Sequence, residues 1–584
     1  MSFATIRFDP AEPVDPARPA APAAAPDRAP SSRTRPVTRD DVACAPATPE
    51  LIDRVGIGTC LAHDVLPWRG AGAVTLVAAA SPERFSDLRA ELENRLGPVR
   101  MVPATRDAVR AGLLAARGAG MAGAAETAVP LEESCRRPAP PGRTALLGGL
   151  AALVLAGTLA APRLAVAVLA GWALLFLVIN TALKLAALFA VLRARRTGSA
   201  PEIAPENVIA PRPRVSIMVP LFRERAIAAR LIARLEKLAY PKELLDVCLV
   251  VEEDDAVTRE ALSTLILPSW MQVVIVPPGG LKTKPRALNY ALAFCRGSII
   301  GVYDAEDAPA PDQIDRVAAA FAASPREVAC LQGVLDFYNT RRNWLSRCFT
   351  VEYASWFRVI LPGFAQLGLV LPLGGTTFFI RRDVLEEVGA WDAWNVTEDA
   401  DLGLRLARRG YRTELIDTVT EEEANSRAWP WVKQRSRWLK GYAMTWGVHM
   451  RRPRRLLRDL GPWRFFGVQA IFLGTLSQFA LAPLLLSFWL LGLGLPHPLG
   501  DTLSAPALTA LWAVFVFAEG VTMLIGAIAV ARKGQRRLLP WVPTLHAYYP
   551  LATLAVFKGL SEIVHSPFYW DKTEHGAFHA GPEA

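Results

Sequence analysis

Apolar positions along the chain fall into distinct regimes. Over residues 46–130 they are spaced for a small α/β domain: Ala73-Val74-Thr75-Leu76-Val77-Ala78 reads as a strand, 82–96 as an amphipathic helix and 99–102 as a second strand. Two long apolar runs, 146–161 and 164–192, are parted only by Pro162-Arg163 and predict a transmembrane hairpin over 143–193. Strands then alternate with helices through 205–450: strands at 215–220, 245–251, 273–276 and 299–303, helices at 226–238 and 285–294. That alternation predicts an α/β sheet with ligands at the carboxyl ends of its strands. A second hairpin is expected over 463–531, interrupted at Pro483. The run 538–564 is long enough to span, but His546, Lys558 and Glu562 would be costly in lipid, so an interfacial helix is expected there. This gives four spans and a cytoplasmic tail; a spanning 538–564 would give five and an external one. Residues 1–45, rich in Pro, Ala and Arg without periodicity, predict disorder.

Composition sharpens this picture. A chain of 584 residues holds two or three domains, and 52% hydrophobic content concentrated in long runs points to a multi-pass membrane protein with folded soluble parts. The net charge of +10 would suit nucleic acid, but the excess cations flank apolar runs (Arg193, Arg195, Arg196; Arg532, Lys533, Arg536, Arg537). Such flanks hold loops on the cytoplasmic side, so the expected partner is the lipid bilayer and no nucleic acid. The α/β block is then cytoplasmic. Seven cysteines without a CxxC pair exclude a disulfide frame and argue for reduced thiols, and no apolar h-region follows Met1.

Candidate chemistry collects at the strand ends. Glu252-Glu253-Asp254-Asp255 ends one predicted strand and Asp304-Ala305-Glu306-Asp307 another. Alternate residues after a strand can turn two carboxylates, Asp304 and Glu306, to one side, where hard oxygen ligands suit Mg²⁺ or Mn²⁺; a solvated acidic loop is the plainer reading of the first cluster and an equal alternative for the second. Lys282-Thr283-Lys284-Pro285-Arg286 follows Gly279-Gly280 and opens a helix, a reasonable seat for a diphosphate. Glu398 or Asp399, in Thr397-Glu398-Asp399, can cap the helix that follows. In Gln434-Arg435-Ser436-Arg437-Trp438, Gln434 and Trp438 share a helix face, with Arg437 beside them.

In order and spacing these motifs resemble the family 2 glycosyltransferases, specifically the cellulose-synthase-like membrane enzymes, over about 215–445. The resemblance implies a GT-A type nucleotide-sugar-binding domain between transmembrane hairpins, performing metal-dependent, inverting transfer from a UDP-sugar, UDP-glucose foremost, to a growing β-linked glycan acceptor. It assigns Glu252, Glu253, Asp254, Lys284, Asn289 and Asp304 to the nucleotide-sugar, Asp304 and Glu306 to the metal, and Asp399 to the general base. Glu398, Gln434, Arg437 and Trp438 fall to the acceptor. Glu306 stands where the family carries Asp. Residues 568–576 resemble the gating loop of cellulose synthases, with Trp570, Thr573 and His575 at the matching places in a tail over 565–584. The stretch LAHDVLPWRGAGAVTLVAAASPERFSDLRAELENRLG resembles the small N-terminal domain of type II secretion ATPases, which implies a docking module and a secretion or export partner. Two other functions stay open: transfer of a single sugar to a polyprenyl or lipid acceptor, and a non-catalytic membrane scaffold.

Overall fold

The computed structural model describes residues 36–137, 141–197, 211–224 and 228–569. Strands β1 (Val65–Ala71), β2 (Val74–Ala79) and β3 (Val99–Pro103) form an N-terminal sheet in that order, β1 antiparallel to β2 and β2 parallel to β3. Between β2 and β3 runs the helix Pro82–Leu96, begun by Ser81, whose Oγ accepts from the Arg84 amide, and by Pro82, whose missing N–H costs nothing in a first turn. Its Phe85, Leu88 and Leu92 are buried, one stripe at helical spacing. The helix Arg106–Thr127 follows β3. Order begins earlier than composition predicts: Val37 bridges Ala104 and Arg39–Cys44 is helical, so 37–45 belong to this domain. Val37 and Val42 are the buried anchors, too few to give the segment a readable period.

The second sheet is built from β4 (Val215–Leu221), β5 (Leu245–Glu252), β6 (Met271–Val276), β7 (Ile299–Val302), β8 (Ala308–Pro309), β9 (Val328–Phe337), β10 (Phe378–Arg381) and β11 (Arg412–Glu422). Their order is β6-β5-β4-β7-β10-β9-β11-β8. Both β5 and β7 pair in parallel with β4. The chain therefore builds outward from β4 on one side, then returns to begin the other, and this reversal opens a crevice at the carboxyl ends of β4, β5 and β7. Beyond β7, β10 is antiparallel to both neighbours, and β11 runs parallel to β9. The N-terminal domain packs on the outer side of this sheet. Val109 and Leu113 share a core with Val274 and Phe294, and Arg110 Nη2 donates to Gln272 Oε1 at 2.6 Å.

Among the described residues, two helices, Pro162–Arg196 and Ala505–Arg532, are long and apolar enough to cross a membrane; the bent pair Pro453–Ala480 and Ala482–Gly492, at 64°, would make a third. The helix Pro141–Ala160 precedes the first of them. The expected single helix over 538–564 is instead broken into Arg536–Thr544, Leu545–Tyr548 and Pro550–His565. Pro540, Pro543 and Pro550 explain the breaks, because each removes an amide donor. Pro550–His565 lies along the helix Ala428–His449, where Lys440 Nζ pairs with Glu562 Oε2 at 3.0 Å. Its Leu554, Phe557, Leu560 and Val564 are exposed along one face.

Candidate active site

The crevice at the strand ends is a cavity whose wall draws on distant parts of the chain. β4 leads to Glu224 and β5 ends in Glu252. Lys282, Thr283 and Lys284 come from the entry to the helix Lys284–Leu292, while Asp304 and Glu306 follow β7. Gly374 to Thr376 precede β10, Glu398 and Asp399 open the helix Glu398–Arg408, and Glu422 ends β11. The remaining wall is formed by Gln434, Arg437 and Trp438, which share one face of Ala428–His449.

Most of the residues singled out in the sequence meet in this cavity. Three do not line it. Glu253 and Asp254 are exposed, Asp254 in an ion pair with Lys282. The Asn289 amide is engaged elsewhere: Nδ2 donates to the carbonyls of Ala125 (2.9 Å) and Trp391 (2.8 Å), and Oδ1 accepts from the Trp391 amide (3.0 Å). Asn289 thus ties the N-terminal domain to the loop before Glu398. The gating candidates Trp570, Thr573 and His575 lie outside the described residues; the chain just before them is anchored by Lys440 Nζ on the Tyr569 carbonyl (2.7 Å). Glu224, Tyr353 and Glu422 also line the cavity and were missed. Glu224 had a signal, being the first acid after a predicted strand; Glu422 had none, because β11 carries Arg412, Glu414, Asp417 and Glu421 and does not read as a strand.

The cavity is crowded with acid. Lys284 Nζ donates to Asp304 Oδ1 (2.5 Å) and to the Gly375 carbonyl (3.0 Å). Burial works to lower the Lys284 pKa, but Asp304, Glu398 and Asp399 outweigh it and hold the ammonium above its usual value. Burial raises Glu398 and Asp399, and Glu398 is raised further by its neighbour's charge. Glu252 is pushed up to about 7 by burial, with Arg286 opposing and Asp254 adding to the rise. Burial, then the charges around them, also raises Glu306, Asp307 and Glu422. Asp307 Oδ2 accepts from the Asp304 amide (2.9 Å) and from Thr376 Oγ1, while Asp307 Oδ1 and Glu422 Oε1 are buried without a partner.

That surplus of desolvated carboxylate oxygen suits a hard divalent cation. Among the described residues, no three His, Cys, Asp or Glu side chains converge into a complete cage. An ion at Asp304 and Glu306 would then depend on substrate phosphate and water for the rest of its shell, which is how Mg²⁺ is ordinarily held. The residues present fit the ion on those terms.

Within the wall, Trp438 is braced by Arg435. The Arg435 guanidinium lies 4.8 Å from the Trp438 ring and 4.8 Å from that of Trp431, and its Nη2 donates to Glu352 Oε2 at 2.6 Å. Tyr548 Oη donates to the same carboxylate oxygen at 2.6 Å.

Residues 299–555 match the model described as glycosyl transferase family group 2. The chain carries a family 2 glycosyltransferase domain. This is an enzyme domain of the hexosyltransferase kind, and the match takes in the acids after β7, Asp399 and the helix with Trp438. Ahead of the transferase domain, residues 41–122 match the MshEN domain. Probable glycosyltransferase YdaM of Bacillus subtilis is 25% identical over 232 residues, 39% of this chain and 55% of that protein. Beta-monoglucosyldiacylglycerol synthase of Synechocystis sp. is 28% identical over 291 residues, 48% of this chain and 58% of that protein. The chain thus spans little more than half the length of these curated relatives. A solved structure, mannosyltransferase PcManGT from Pyrobaculum calidifontis in complex with GDP-Man and Mn²⁺, aligns over 67% of this chain and 99% of that one, with 19% identity and a TM-score of 0.42.

Proposed function

We propose that this chain is an inverting membrane glycosyltransferase that moves a sugar from a nucleotide-sugar, UDP-glucose foremost, to an acceptor hydroxyl beside Trp438, extending a β-linked glycan. The observation that carries this reading is the pair Glu398 and Asp399, the first buried and the second half-buried at a helix start, with raised pKa values, in one cavity with Lys284 and Asp304. A carboxylate raised toward neutrality is a stronger base that still ionises near working pH. Asp399 takes the proton of the acceptor hydroxyl as that oxygen attacks the anomeric carbon. The bond between that carbon and the diphosphate oxygen breaks, and its electron pair leaves with the nucleoside diphosphate. A single displacement inverts the centre, so an α-linked donor gives a β-linked product.

Lys284 brings positive charge toward the departing diphosphate, Glu252 accepts from the nucleoside, and Gln434, Arg437 and Trp438 hold the acceptor. Asp304 and Glu306 would hold Mg²⁺ or Mn²⁺, which supplies neutralisation of the charge that builds on the leaving group. Arg-rich flanks of the apolar helices favour a cytoplasmic site at a bacterial inner membrane, in a multi-pass chain. The N-terminal domain is the surface for a secretion or export partner.

A second acceptor class has its own support. The exposed row Leu554, Phe557, Leu560 and Val564 lies on the helix that packs against the one carrying Trp438, which would bring a lipid acceptor's headgroup near the site, and one relative is named for glycolipid synthesis. Incubation of purified protein in vesicles with a panel of UDP-sugars, reading UDP release and product mass, tests both. A ladder of sugars supports polymer extension, one sugar per lipid supports the second reading, and no UDP release with any donor or acceptor overturns the proposal.

A further inference from the structure

The helix Arg106–Thr127 belongs to the N-terminal domain, yet its last turn reaches the back of the cavity described above. Glu126 Oε1 accepts from the Gly280 amide at 2.9 Å and from Arg286 Nε at 3.1 Å. Arg286 is fully buried; its Nη1 reaches Glu252 Oε2 at 3.3 Å and its Nη2 donates to the Pro277 carbonyl at 2.6 Å. One guanidinium is therefore shared between a carboxylate of the N-terminal domain and a carboxylate in the cavity wall. The packing is tight, since a Cβ on Gly279 would stand 2.3 Å from both Arg286 Nη2 and Glu126 Oε1. The backbone of the same turn is tied as well. Asn289 Nδ2 donates to the Ala125 carbonyl at 2.9 Å and Trp394 Nε1 to the Glu126 carbonyl at 3.0 Å.

Docking of the two domains has its own apolar core around Val109, Leu113, Val274 and Phe294, so holding them together does not require Glu126. What Glu126 adds is specific to the cavity. It fixes the loop that leads through Lys282 to Lys284, and it sets how much of the Arg286 charge is left for Glu252. A buried cation with two anions redistributes its hydrogen bonds when one anion is removed, and the remaining pair tightens or shifts.

We propose that Glu126 is a positioning residue for the nucleotide donor, acting through Arg286 on Glu252 and through Gly280 on the loop before Lys284, so that the N-terminal domain sets the donor affinity of the transferase. This rests on the reading of the cavity as a donor site. The coupling differs from a docking surface in what it controls: binding of the nucleotide, leaving proton transfer at Asp399 as it is.

The test uses the full chain in detergent or vesicles, with UDP, GDP and ADP as calorimetric probes and donor KM and kcat measured separately. Glu126→Gln keeps an acceptor for the Gly280 amide and removes the charge facing Arg286. Above about pH 7, where Glu252 is ionised with or without Glu126, it is expected to raise the nucleotide Kd and donor KM roughly tenfold, the scale of one charge-assisted hydrogen bond, because Arg286 then closes on Glu252 and occupies the carboxylate that would accept from the nucleoside; kcat is expected to stay within about twofold. Glu126→Asp, which keeps the charge on a shorter arm, is expected to recover part of the affinity and remains readable where the Gln variant folds poorly. Glu126→Gln and Glu252→Gln are expected to be non-additive, because both act on Arg286. Unchanged Kd and KM in Glu126→Gln, with only the melting temperature lowered, overturn the proposal and leave a docking contact. A wild-type protein that binds none of the three nucleotides overturns the donor-site reading itself, and the proposal with it.

Discussion

A Cβ placed on Gly375 would stand 3.1 Å from Oδ2 of Asp399. Gly375 has φ of +85°, a conformation that L side chains rarely adopt, and its carbonyl accepts from Lys284. One backbone position thus sets the room around the proposed base and holds the cation beside it. Gly375→Ala is expected to cost about 1–3 kcal/mol of stability from backbone strain and to lower kcat. Asp399→Asn, which is nearly isosteric, is expected to lower kcat roughly 10²–10⁴-fold with nucleotide binding nearly intact. Stopped-assay kinetics beside calorimetry with UDP check both; wild-type turnover in Asp399→Asn would remove it as the base.

Chelation with EDTA is expected to stop transfer, and Mg²⁺ or Mn²⁺ to restore it. Asp304→Asn and Glu306→Gln are expected to raise the metal concentration needed for half-maximal rate, because each removes a charged oxygen ligand. Rates that do not respond to EDTA would exclude a metal from the reaction.

Glu252 sets a pH dependence. Burial is the largest cause of its rise to about 7 from an ordinary 4.5, against the pull of Arg286. The folded chain then binds this proton more tightly than the unfolded chain. The contribution to stability is present in full below about 4.5 and is lost as the pH rises through about 7. Donor binding runs the other way, since a carboxylate that accepts from the nucleoside must be ionised. Donor KM is expected to fall as the pH rises through about 7, and Glu252→Gln to flatten both dependences in thermal melts and initial rates.

Arg435 is buried against Glu352, Tyr548, Trp431 and Trp438. Replacing it with leucine leaves Glu352 desolvated without its cation and is expected to cost roughly 3–5 kcal/mol. The double variant Arg435→Leu with Glu352→Leu is expected to recover much of that stability, yet keep a raised acceptor KM, because Trp438 loses its brace. Equal acceptor KM in the double variant and the wild type would separate Arg435 from the acceptor platform.

The strand-end acids were legible in the sequence because β4, β5 and β7 are nearly continuous apolar runs, each broken by the first residues that cannot be buried cheaply. Asp304, Glu306 and Glu252 fall at those breaks. Asn289 was legible as part of a motif but not as a tie, since its hydrogen-bond partners lie 164 and 102 residues away in the chain. Glu253 and Asp254 look equivalent to Glu252 in the sequence. The last residue of β5 keeps its side chain in the wall, whereas the turn after it sends its neighbours into solvent.

What the sequence determined by itself was local: the period of each strand and helix, the long apolar runs, and the spacing of Gln434, Arg437 and Trp438 on one helix face. Hydrophobic period and backbone geometry act over a few residues, so they can be read from a few residues. The tertiary structure alone decided that Glu224, Tyr353 and Glu422 join the cavity, and that Glu126 meets Arg286 from another domain. Those neighbours depend on the strand order and on how the two domains share a core, and a mixed-polarity strand such as β11 takes its place from its partner β9, not from its own period.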